Sequence, residues 1–142
     1  MTNATGGFNS FFGGNAGNSN NTGNSNSFFG YQAGLSNSGG SSNAFFGSQA
    51  GEQNTPQGQN TFIGDSAGSA NGLNDTNNLA NLNTFIGSAA GASNTTGSRN
   101  TIIGASANLA AGNLTNATAI GAKALVSQSN GDRSHFSSIL GC

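Results

Sequence analysis

Asn60-Thr61-Phe62-Ile63-Gly64-Asp65-Ser66-Ala67-Gly68 decides how this chain is read, because nearly the same nine residues return as Asn83-Thr84-Phe85-Ile86-Gly87-Ser88-Ala89-Ala90-Gly91. The shorter phrase Asn-(Ser/Thr/Ala)-apolar-apolar-Gly begins at Asn9, Asn26, Asn43, Asn60, Asn83 and Asn100, with one more copy in register at Ala117. The interval is 17 residues throughout except between Asn60 and Asn83, where six additional residues lie in the polar stretch 69–82. So short a period, sustained over most of the chain, specifies a solenoid of stacked coils, and the excess is expected to bulge from one coil as a loop.

Helical repeats are excluded by composition, since 24 Gly and a comparable load of Asn among 142 residues do not support stable helices. Each apolar block is two residues closed by a glycine, which reads as a strand of about four or five residues bounded by turns. The predicted fold is an all-β parallel β-solenoid of about seven coils, each supplying two short strands and burying its apolar side only by stacking on its neighbours. Residues 9–126 form the repeat domain, 1–8 a polar N-terminal segment, and 127–142 an irregular segment in which Phe136, Ile139 and Leu140 are candidates to cap the last coil.

Stacking sets equivalent residues above one another at about 4.8 Å, so seven coils predict a rod roughly 30 to 35 Å tall. Asn9, Asn26, Asn43, Asn60, Asn83 and Asn100 form one ladder, suited to hydrogen bonding from coil to coil. Gly13, Gly30, Gly47, Gly64, Gly87, Gly104 and Gly121 form another, at a turn requiring positive φ or leaving no room for Cβ. The repeated Ala16, Ala33, Ala50, Ala67, Ala90, Ala107 and Ala124 indicate a narrow interior.

Adjacent residues in a strand face opposite ways, so the two apolar ladders are divided between inside and outside. The expectation is that Phe12, Phe29, Phe46, Ile63, Ile86, Ile103 and Ile120 line the stacking core. On this reading Phe11, Phe28, Phe45, Phe62, Phe85 and Ile102 point outward and form an aromatic stripe for self-association, unless their own turns shelter them. Phe45→Asp would then block assembly while sparing β content, and Phe46→Asp would abolish the fold. A Thr ladder (Thr61, Thr84, Thr101, Thr118) raises ice binding as a minor possibility. Counting against it, Ser10, Ser27 and Ala44 interrupt that ladder, which also shares a face with the expected inner series.

Only 5% of residues are charged and the formal net charge is -1, so a basic footprint for nucleic acid is missing. No stretch approaches 18 apolar residues, and the first residues lack the charged head and apolar core of a signal peptide. His135 and Cys142 sit seven apart without the surroundings of a nucleophile and base, and Glu52, Asp65, Asp75 and Asp132 recur at no ladder position and read as solvated turn residues. The single Cys142 reads as a free thiol or an intersubunit link. No enzyme activity, cofactor or metal site is expected.

Thr118-Ala119-Ile120-Gly121-Ala122-Lys123-Ala124, with the phrase at Asn60 and its sister copies, resembles the head repeat of YadA-like trimeric autotransporter adhesins, over about residues 9–126. That resemblance implies a left-handed parallel β-roll, homotrimeric packing, and binding to a host or matrix protein or a glycan. Related repeats occur in phage tail fibres and bacterial surface proteins. The resulting expectation is an inert adhesive or spacer rod, extracellular, on a cell surface or on a virion. An end-to-end, functional-amyloid-like filament of an extracellular matrix is the alternative.

Overall fold

In the computed structural model, which describes residues 5–129, the chain winds as a parallel β-solenoid of about seven turns. One three-residue strand marks each coil: β1 Ser10–Phe12, β2 Ser27–Phe29, β3 Ala44–Phe46, β4 Thr61–Ile63, β5 Thr84–Ile86, β6 Thr101–Ile103 and, in the last coil, β8 Thr118–Ile120. They form a single seven-stranded sheet in that order. The register is the repeat itself, with Phe28 level with Phe45 and Phe45 with Phe62. Across the longer interval it is kept, since Thr61 pairs with Thr84 and Ile63 with Ile86. The candidate cap residues and the His135/Cys142 pair lie outside the described residues.

The assignment of the two apolar ladders is reversed. Phe28, Phe45, Phe62, Phe85 and Ile102 are fully buried, and Phe11 packs partly buried against the same core. Phe12 is 74% exposed, while Phe29, Phe46 and Ile63 are each about two-fifths exposed. Alternation along a strand fixes only that neighbours point apart. The side is chosen by the glycine six residues after the buried ring, where the chain returns beneath it at φ near +60°. A Cβ on Gly34 would lie 2.5 Å from the Phe28 ring, and Gly51, Gly68 and Gly91 meet Phe45, Phe62 and Phe85 in the same way.

The same coupling explains why most coils have one strand where two were expected. A left-handed glycine under the ring is a turn, and it prevents a second extended segment. Where the ring becomes Ile102 and then Ala119, the glycine gives way to Asn108 and Leu125. There the second strands β7 (Asn108–Leu109) and β9 (Leu125–Val126) appear, paired parallel in a sheet of their own. Leu109, Leu114 and Val126 are buried in the same core as the phenyl rings.

Other corners also lie in the left-handed region. The residue before each ladder Asn has a positive φ even when it is bulky, as at Phe8 (59°), Leu82 (61°) and Arg99 (57°). Such a conformation costs about 1–2 kcal/mol per non-glycine residue. It persists because the coils above and below fix the corner through bonds such as Arg99 N–H to the Asn81 carbonyl (3.0 Å).

The interior has two halves. One is apolar: the rings of Phe28, Phe45, Phe62 and Phe85 stack at 4.8–4.9 Å with planes within 6° of parallel. Beside them runs the alanine column from Ala16 to Ala124, buried along its length, as the narrow interior required. The other half is built from asparagine.

Candidate functional site

Two features are available to carry function: the amide-laddered core and the sheet face turned outward. The predicted Asn ladder forms, with Asn26 to Asn100 buried and Asn9 partly so. Its bonding pattern differs from a simple amide stack. Each side-chain oxygen accepts the backbone N–H of the next ladder residue, as from Asn43 N–H to Asn26 Oδ1 (3.0 Å) and from Asn60 N–H to Asn43 Oδ1 (2.9 Å).

The side-chain N–H groups turn to a second column, Asn20, Asn37, Asn54, Asn71 and Asn94, which went unnoticed in the repeat. Asn43 Nδ2 donates to the Gln57 carbonyl (2.9 Å) and to Asn37 Oδ1 (3.3 Å), while Asn54 Nδ2 donates to the same carbonyl (2.7 Å) and the same Oδ1 (3.1 Å). One backbone carbonyl per coil thus receives two amides. The second column alone makes the continuous side-chain chain from coil to coil, such as Asn71 Nδ2 to Asn54 Oδ1 at 2.7 Å. It could have been found from the sequence, because its members keep the same 17-residue step and the same six-residue excess.

That column also locates the excess. Asn54 Nδ2 reaches a carbonyl three residues on, whereas the equivalent bond from Asn71 reaches Ala80, nine residues on (3.0 Å), so the six additional residues fall between them. Asp75 holds this loop and is buried, which corrects its reading as a solvated turn residue. Its Oδ2 accepts the backbone N–H of Leu79 (2.6 Å) and Ala80 (2.9 Å) and the side-chain amide of Gln57 (3.1 Å). Its Oδ1 accepts Asn77 N–H (3.1 Å). Glu52 is half-buried and Asp65 exposed.

The outward face carries two columns. One is Phe12, Phe29, Phe46, Ile63, Ile86, Ile103 and Ile120; the other, two residues earlier in each strand, is Ser10, Ser27, Ala44, Thr61, Thr84, Thr101 and Thr118. The Thr ladder therefore faces solvent, not the core where it was expected. Phe29 and Phe46 lie 5.0 Å apart with planes 4° from parallel, so each covers the other's face and mainly ring edges meet solvent. Phe12 ends the stack, 6.3 Å from Phe29 and tilted 28° to it. None of the fourteen side chains is charged. Phe11, Phe28, Phe45, Phe62, Phe85 and Ile102, expected to self-associate, are removed from this face by their burial.

These features define the class: a parallel β-solenoid repeat protein with an amide-laddered core. No family model, curated protein or solved structure matches the chain. Among the described residues, no helix is long and apolar enough to cross a membrane.

Proposed function

We propose that this chain is a non-enzymatic structural module, a rigid rod of the cell-surface adhesin or tail-fibre kind that associates side by side with copies of itself through its outward face. The observation carrying this reading is the uncharged apolar column from Phe12 to Ile120, in which Phe12, Phe29, Phe46, Ile63 and Ile120 stay exposed and Ile86 and Ile103 half-buried after the core is complete. Contiguous apolar surface of this kind marks interaction sites in water-soluble proteins. Rigidity, the other requirement of a spacer, follows from a core in which rings stack from Phe11 to Phe85 and ladder amides run from Asn9 to Asn100. The resemblance to trimeric adhesin heads is consistent with an extracellular setting and with a host or matrix protein or a glycan as the final ligand.

Sedimentation velocity over a range of concentrations, joined with negative-stain microscopy, tests the reading. Short rods that associate reversibly are expected, and Phe46→Asp should keep the parent circular dichroism while losing the association. A monomer at every concentration for both proteins removes the proposal.

A second reading, end-to-end filaments, is favoured by β1, which lies at the edge of the sheet with the Phe11 ring stacked, among the described residues, on Phe28 alone (4.9 Å). Filaments of unlimited length in the same micrographs would replace lateral association with this one.

A further inference from the structure

We infer that the occupant of the outward face is a second copy of this chain, lying with its axis parallel to the first and related to it by a two-fold axis running along the rods. This rests on the self-association proposed above and adds its geometry. The evidence is a covariation between the two outward columns. In the first three coils the phenylalanines Phe12, Phe29 and Phe46 are accompanied by the small residues Ser10, Ser27 and Ala44. In the next four coils every isoleucine is accompanied by a threonine. Phe with Ser or Ala and Ile with Thr have nearly equal combined volume, so the bulk on each rung is conserved while its division between the columns changes.

A two-fold along the rods opposes the strand directions of the two faces. It sets the small column of one copy against the large column of the other at the same rung. Phe29 then meets Ser27 of the second copy, and Ile86 meets Thr84 of the second copy, so large fits small and the separation of the sheets stays even from end to end. The antiparallel arrangement sets Phe against Ile in one column and Ser against Thr in the other, which opens a wedge. Self-complementarity of one patch is what a two-fold interface requires.

Size sets the strength. Six rung intervals of about 4.8 Å, with strands three residues wide at about 3.3 Å each, give a face of about 300 Å². Two such faces bury about 600 Å², little more than a third of the roughly 1,600 Å² of a stable complex of standard size. The free rods therefore pair reversibly, and tethering several copies at a common end raises their effective concentration enough to hold them together. Only parallel pairing is compatible with such tethering.

The test uses full-length chain with Cys142→Ser, in which Thr84→Cys and Ile86→Cys are made separately, then mixed and oxidised. A disulfide between the two different variants is expected, and little cross-linking of either variant alone. Thr61→Cys cross-linking to itself, with no product from the mixture, places coil 4 on the axis of an antiparallel pair and overturns the inference while leaving self-association intact. A trimer in sedimentation, or association without either cross-link, also overturns it. Absence of any association overturns the underlying function as well. Should the cysteine variants fail to fold, a spin label carried by Phe8→Cys, at the exposed corner two residues before Ser10 on the first rung, decides the matter: an intermolecular distance well below the rod's length is expected, and one at or above that length refutes the arrangement.

Discussion

Phe28 and Gly34 are a single unit, because the ring occupies the space that any side chain at 34 would need. Gly34→Ala adds a Cβ 2.5 Å from the ring and strains a residue at φ 59°, so a loss of at least about 1–2 kcal/mol is expected in urea unfolding. The natural experiment is in the chain already: where the ring is absent, at Ile102, the residue six along is Asn108, which lies in strand β7. Phe45→Ala removes a fully buried ring and should cost about 3–5 kcal/mol. Phe45→Asp is expected to abolish the fold and Phe46→Asp to spare it, the reverse of the order suggested by reading the ladders alone. The sequence showed that the two columns oppose each other. The choice between them was legible only in the spacing from Phe to the second glycine of the Phe-x-Gly-x-x-Ala-Gly pattern, a steric relation across a turn that strand periodicity does not contain.

At the scale of the coil, hydrogen bonding decides. Asn43 is bonded through both ends of its amide, and Asn43→Ala leaves the buried Asn60 N–H without its acceptor. A loss of about 1–3 kcal/mol is expected for that group alone, measurable by thermal or denaturant unfolding. The inserted loop behaves differently, because its bonds converge on one carboxylate. Asp75→Ala should raise amide hydrogen exchange at Leu79 and Ala80 while protection in β1 to β3 stays unchanged. Protection lost throughout the stack would contradict so local a role. The first Asn column, the small-residue column and the position of the loop could all be read from the repeat. The burial of Asp75 could not, because it depends on Gln57 standing where the two preceding coils carry Gly23 and Gly40 and reaching into the next coil. The Thr column, now seen to face outward, runs beside ring edges in three of seven rungs, counting Ala44 and the two serines among its interruptions. No thermal hysteresis is expected in a nanolitre osmometer.

Over the whole molecule, every bond described runs within a coil or to the adjoining one. Asn26 N–H reaches Asn9 and Asn43 N–H reaches Asn26, in steps of 17 residues. Folding and unfolding should therefore propagate coil by coil. Length is then a separable property of this molecule. Excision of residues 27–43 would bring Asn26 up to Ala44, reproducing the Asn43–Ala44 junction that exists one coil later. Slippage of the coding repeat by whole units could shorten or extend the rod in increments of about 4.8 Å without inventing a new contact, which makes its height a quantity that selection can adjust like the marks on a ruler.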